Sequence, residues 1–318
     1  MTDMTHGFAY ANGIRMHYVE QGEGPLVVLL HGWPESWYTW RHQIPALAAA
    51  GYRVVAPDQR GYGRTDRPEA IEAYNILNLV GDVVGLVRAL GEERAVVVGH
   101  DWGSIVAAPC ALLRSDMFRA VGLMSVPYLM RRPLRPAVAF TLATQEKHFY
   151  QDYFQAPGKA EREFEEDVHK TILGVLYSGS AGAVLTKNAY WFDKTARMVD
   201  NLTIPAVLPA WLDERDVEFF VNEFTRTGFR GGINWYRNFD RNWELTPFLD
   251  GAKIMQPALF IAGERDGVLK MAAEDYQNLA VNVPGLRAQH IISGAGHWAE
   301  QERPDEVNRV LIDFLHGL

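Results

Sequence analysis

The residues in this chain best suited to nucleophilic chemistry centre on Asp101, in the run Val96-Val97-Val98-Gly99-His100-Asp101-Trp102-Gly103-Ser104. An apolar run enters a small-x-nucleophile-x-small turn and leaves it as a small-residue helix, Ile105-Val106-Ala107-Ala108, which is the context of a nucleophile elbow. Glycine flanks the centre because a side chain there would collide with the neighbouring strand and helix. The central residue is a carboxylate where esterases place serine. A carboxylate that attacks an alkyl carbon forms an alkyl-enzyme ester, which water must then cleave. The helix N-terminus favours its ionised form. Taken alone, Asp101 could equally be a helix N-cap.

Its partners lie far along the chain. Asp266 ends Ala262-Gly263-Glu264-Arg265-Asp266, and His297 lies in Gly294-Ala295-Gly296-His297-Trp298. Each follows a strand-like run, and the order nucleophile, acid, histidine is that of α/β-hydrolases. His297 would deprotonate the hydrolytic water while Asp266 holds its tautomer and stabilises its charge. His31-Gly32-Trp33-Pro34 follows the first long apolar run. The loop there supplies one backbone N–H of an oxyanion hole and the residue after the nucleophile the other, which nominates Trp33 and Trp102.

The elements that must position these groups are legible as a rhythm. Leu26–Leu30, Arg53–Ala56 and Ala95–Val98 are strands apolar on both faces, and an amphipathic stretch from about Asn75 to Leu90 reads as helix. Such strands, spaced by helices, indicate a parallel sheet covered on both sides. Met16–Glu20 alternates and reads as an antiparallel edge strand. After Met124 the pattern turns helical and aromatic with no clear strand, and strands resume at Ala258–Ala262 and Gln289–Ile292. A final amphipathic helix covers about Pro304–Leu315. The expected architecture is an α/β fold with a mostly parallel eight-stranded sheet flanked by helices. Core segments 1–127 and 249–318 would flank a helical cap, 128–248.

Across nearly the whole chain the sequence resembles the soluble epoxide hydrolase family of the α/β-hydrolase fold. The match runs through His31-Gly32-Trp33-Pro34-Glu35-Ser36, Asp58-Gln59-Arg60-Gly61-Tyr62-Gly63, the elbow, the insertion and the histidine loop. The resemblance implies conversion of epoxides and water to vicinal diols, with two cap tyrosines binding the epoxide oxygen. The matching positions are Tyr153, in Tyr153-Phe154-Gln155-Ala156-Pro157-Gly158, and Tyr236, in Ile233-Asn234-Trp235-Tyr236-Arg237-Asn238. The role is chemically sound, because a departing alkoxide needs an acid and a phenol of pKa about 10 stays protonated at neutral pH. Tyr150, Tyr177 and Tyr190 are competing candidates. A haloalkane or haloacid dehalogenase would use the same Asp-His-Asp set, with Trp102 donating to halide, but the two tyrosines would then have no task. A non-catalytic receptor need not keep the acid, the base and both proton donors.

Composition excludes other classes. With 48% hydrophobic and 22% charged residues the chain of 318 is an ordinary globular one, and its net charge of −8 argues against nucleic acid. The lone cysteine, Cys110, permits no intramolecular disulfide and suits a reducing cytoplasm. No apolar leader is seen in Met1–Tyr10, and no run suffices to span a membrane. No metal or dinucleotide fingerprint appears, so no cofactor is implied. The partner is a small-molecule epoxide, and the aromatic cap offers a surface on which two copies could pair. Ser178–Gly182 mimics a serine elbow but follows a helical stretch and reads as a flexible segment. Glu161, Glu163, Glu165 and Glu166 read as a solvated helix face, Arg131, Arg132 and Arg135 as a loop, Cys110 as core, and His100 as structural.

Overall fold

The computed structural model describes residues 4–183 and 188–318. Met1 to Asp3, part of the stretch read for a leader, lie outside the described residues. The strands are β1 (Thr5–Ala11), β2 (Ile14–Gln21), β3 (Leu26–Leu30), β4 (Arg53–Pro57), β5 (Ala95–His100), β6 (Phe118–Met124), β7 (Lys147–Phe149), β8 (Trp191–Asp193), β9 (Ala258–Gly263) and β10 (Leu286–Ile292). Eight of them form one sheet in the order β1-β2-β4-β3-β5-β6-β9-β10. It is parallel from β4 to β10 and antiparallel at β1-β2 and β2-β4.

The continuous apolar runs follow from this placement. Val28 and Leu30 of β3 join Val97 of β5 in one core, and Val27 and Leu29 join Val96 and Val98 in the other. A strand buried on both faces has no polar phase. The two cores are covered by helices that include Ile76–Ala89 and Trp102–Leu113 on one side and Gln43–Ala49 and Pro304–His316 on the other.

Four expectations need correction. Met16–Glu20 lies within β2 but is not at the edge, because β1 pairs outside it through seven residues. The insertion is not free of strands: three-residue β7 and β8 pair antiparallel, too short for a period-2 signal to show. Ser178–Gly182 is not loose, since Ser180 and Ala181 are buried against the histidine loop. The glutamates are not all on a solvated face either. Glu161 is buried in a 2.6 Å ion pair with Arg237 and Glu163 is buried between Tyr153 and Val199, whereas Glu165, which accepts from Phe229 N, and Glu166, paired with Arg197, are exposed as expected.

The block between β6 and β9 packs onto the loops beyond the strand ends. Trp235 Nε1 donates to Arg60 O at 3.0 Å, Arg226 to Gly63 O at 3.0 Å, and Tyr38 Oη to Asp216 at 3.0 Å. No helix among the described residues is long and apolar enough to cross a membrane. Arg131, Arg132 and Arg135 sit ahead of the helix Pro136–Ala143, as the loop reading required; Arg132 pairs with Asp275, Arg135 with Asp240, and Arg131 packs on Trp243.

Candidate active site

Asp101 follows β5 directly with φ +51° and ψ −118°, a backbone conformation costly for any residue but glycine. The strain holds its side chain out of the line of the strand. Glycine on each side makes the turn possible: a Cβ on Gly99 would lie 2.0 Å from Gly103 O, and one on Gly103 would lie 2.0 Å from Leu30 O in β3.

The two carboxylate oxygens of Asp101 have different surroundings. Oδ1 accepts from Trp33 N at 2.9 Å, and the Trp102 amide also binds the carboxylate. Oδ2 lies 3.8 Å from His297 Nε2, beyond direct hydrogen-bond distance. Burial raises the pKa of Asp101, and His297, His100 and the two amides oppose the rise without cancelling it, so it sits above 3.8. The helix N-terminus therefore favours the anion, as its polarity requires, but desolvation outweighs it.

His297 follows β10, and its Nδ1–H points at Asp266 Oδ1 (3.2 Å) and Ser125 Oγ (2.9 Å). Asp266 caps the helix Gly267–Met271 and accepts from Val268 N at 2.8 Å. Burial lowers the pKa of His297, but the Asp266 carboxylate more than offsets this and lifts it above 6.5. Ser125 was missed in the sequence. Its signal was its place one residue beyond β6, the position that Asp101 holds with respect to β5, and like Asp101 it has a positive φ, +65°.

A cleft opens over these groups, lined by Asp101, His297, Trp33, Tyr150, Tyr190 and Tyr236 among others. Tyr236 is where the sequence placed it. Tyr153 is not: its hydroxyl donates to Glu163 Oε2 at 2.5 Å, away from Asp101. Tyr150 lines the cleft instead and hydrogen-bonds Tyr236. Tyr150 and Tyr153 sit on one short helix, Tyr150–Tyr153, whose period turns positions three apart to nearby but distinct directions. Burial raises the pKa of Tyr150 and Tyr236, with Asp101 adding to it, so both are protonated donors at neutral pH. Trp102 hydrogen-bonds Tyr236 and stacks on Phe239 (5.4 Å, 19°). Elsewhere in the insertion Trp191 stacks on Phe149, Phe219 on Tyr38, and Phe192 packs on Tyr153; none of them, nor Trp211, is in the cleft wall.

His100 faces the other way, as expected of a structural residue. Its Nε2 donates to His297 O at 2.8 Å, and its Nδ1 meets Glu35 Oε2 at 3.0 Å. Glu35 also accepts from Gly32 N at 2.9 Å and from Gln301 Nε2 at 3.2 Å, and its pKa falls to about 2: burial raises it, and His100, the largest opposing influence, outweighs that. A carbonyl and an ionised carboxylate can only accept, so both ring nitrogens carry protons. His100 is thus a buried cation joining the Trp33 loop to the histidine loop. Glu300 lies beside this pair, but the ring has no lone pair left for a metal ion.

An eight-stranded, mostly parallel sheet with a strained strand-to-helix turn and an acid and histidine after later strands defines an α/β-hydrolase, and the model of the alpha/beta hydrolase fold family matches residues 25–304. The chain is 49% identical to Epoxide hydrolase A of Mycobacterium tuberculosis (strain ATCC 25618 / H37Rv) over 313 residues, 96% of each chain. Among solved structures, an epoxide hydrolase from an endophytic Streptomyces superposes with TM-score 0.97 at 48% identity, covering 100% of this chain and 96% of that one. Potato (Solanum tuberosum) epoxide hydrolase I matches with TM-score 0.91 at 36% identity, over 99% and 100%. The chain belongs to the epoxide hydrolase family of the α/β-hydrolase fold.

Proposed function

We propose that this protein converts epoxides and water to vicinal diols by two displacements at Asp101. In the first, Oδ2 attacks an epoxide carbon while Tyr150 and Tyr236 donate to the ring oxygen. The C–O bond breaks, the oxygen takes a proton from a phenol, and a hydroxyalkyl ester of Asp101 remains. In the second, His297 removes a proton from water, which attacks Cγ of the ester. The negative charge develops on Oδ1, which the Trp33 amide already touches, with the Trp102 amide also on the carboxylate. Collapse breaks the Cγ–Oδ2 bond, the His297 imidazolium gives its proton to the departing oxygen, the diol leaves carrying Oδ2, and the remaining proton of the attacking water restores the phenol. Preorganised donors of this kind are worth roughly 10²–10³ in rate each.

The observation that carries this reading is the division of labour within one carboxylate, one oxygen held by the Trp33 amide and the other facing the histidine, beneath two phenols. Dehalogenation is less well served, because the Trp102 side chain is engaged by Tyr236 and Phe239 and is absent from the cleft wall. We read 128–248 as the lid that brings Tyr150 and Tyr236 over a core formed by 1–127 and 249–318. The buried lone thiol, Cys110, suits a reducing cytoplasm.

A single turnover in H₂¹⁸O, with enzyme in excess of styrene oxide, tests the scheme. The diol should emerge unlabelled and Asp101 should gain one ¹⁸O. Labelled diol and unlabelled Asp101 would mean direct attack by water and overturn the ester route. Asp101→Ala should release no diol.

A further inference from the structure

Three consecutive polar residues, Glu300, Gln301 and Glu302, are buried on the short helix Ala299–Glu302 just behind His297. Burying polar side chains is unfavourable unless hydrogen bonds satisfy them, and here those bonds lead in two directions. Gln301 Nε2 donates to Thr39 Oγ1 at 2.8 Å and to Glu35, towards the Trp33 loop. Glu302 points to the opposite side. Its Oε1 accepts from Gly296 N at 3.0 Å and its Oε2 from Ala181 N at 2.9 Å.

Ala181 belongs to the strap of residues 178–182 that leaves the helix Val168–Gly179. Two further bonds tie that region to the histidine loop. His297 N donates to Gly179 O at 2.8 Å, and Trp298 Nε1 donates to Leu176 O at 2.7 Å. Gly296 is pressed so closely onto the strap that a Cβ there would fall 2.4 Å from Ala181 N and 2.5 Å from Gly179 O. Ser178 and Gly179 also line the cleft. The strap is therefore a wall of the cleft and the seat of the His297 backbone at once.

We propose that Glu302 is a positioning residue for ester hydrolysis: its carboxylate clamps the strap to the histidine loop and so sets how far His297 Nε2 reaches towards the Asp101 ester. The proposal rests on the reading of His297 as the base of the second step. Both oxygens of Glu302 accept from backbone N–H groups, whereas an amide at that position supplies one acceptor and turns its own NH₂ against the other N–H. Alkylation makes no use of His297, so the damage falls on hydrolysis.

The test compares Glu302→Gln and Gly296→Ala, as full chains, with wild type and with His297→Gln. Rapid mixing with styrene oxide follows alkylation by tryptophan fluorescence, ester decay by intact mass, and folding by thermal melting. Both variants should alkylate within about threefold of wild type while ester decay slows roughly 10- to 100-fold, the scale on which small misplacements act. Equal losses in both steps, or no loss in either, with His297→Gln still trapping ester, would overturn the role of Glu302 alone. Failure of His297→Gln to trap ester would overturn the base assignment, and the proposal with it.

Discussion

The hydroxyl of Tyr153 donates to Glu163 Oε2 at 2.5 Å, while Tyr150, at the other end of the same short helix, opens onto the cleft that holds Asp101. The two residues therefore separate by experiment. Tyr150→Phe or Tyr236→Phe should slow alkylation by roughly 10²-fold, the lower range for losing a positioned acid. Tyr153→Phe should leave alkylation within a few-fold and cost about 1–3 kcal/mol of stability, because Glu163 loses a buried donor. Stopped-flow alkylation and melting curves on the three variants decide it.

The pH dependence of hydrolysis follows from His297. As a base it must be neutral, and Asp266 overcomes burial to hold its pKa above 6.5. Ester decay should thus rise with pH through a value above 6.5 and level off beyond it. Asp266→Asn removes the carboxylate that raises the pKa, so the rise should move to lower pH while the plateau falls. Alkylation needs Asp101 ionised, and since its pKa lies above 3.8, that step should weaken on the acid side where a free aspartate is still charged. Single-turnover rates between pH 5 and 9 read both limbs.

Gly32 has no room for a side chain. A Cβ there would lie 2.4 Å from Asp101 Cβ and 2.5 Å from its Oδ1, so Gly32→Ala must push the Trp33 loop or the nucleophile aside. The loss of that amide from the oxyanion site should reduce ester hydrolysis by roughly 10²–10³-fold. Measured decay of the trapped ester is the check.

Glu300 is buried beside Glu35 and His100, and burial lifts its pKa from 4.5 to about 7. Between those values the folded protein binds a proton that the unfolded chain has released. The stability contribution is therefore full below pH 4.5 and fades as pH rises through 7. Glu300→Gln, which keeps the shape of the protonated acid, should flatten this part of the profile and gain on wild type at pH 8. Melting temperatures of the two proteins at pH 5 and pH 8 give the comparison.

The elbow, the acid and the histidine were legible because each is a local event. Asp101 and Asp266 follow strands buried on both faces, which announce themselves without reference to their neighbours, and His297 follows the apolar end of β10. The amides of Trp33 and Trp102 followed from the same bookkeeping of strand ends. Ser125 could have been found that way too. β7 and β8 could not, being three residues each and joined across some forty positions.

The sequence by itself determined the chemistry of the nucleophile, the order of its partners and the layered sheet beneath them, since those depend on residue type and short-range periodicity. Tertiary structure decided which tyrosine opens onto the cleft. Tyr150 and Tyr153 share one helical turn and similar surroundings in the chain, and only the packing of Glu163 and Phe192 against Tyr153 turns it away. It also decided that Glu161, Glu163 and Glu302 are buried, because a carboxylate becomes a structural group only when folding brings it a guanidinium, a phenol or a pair of backbone amides.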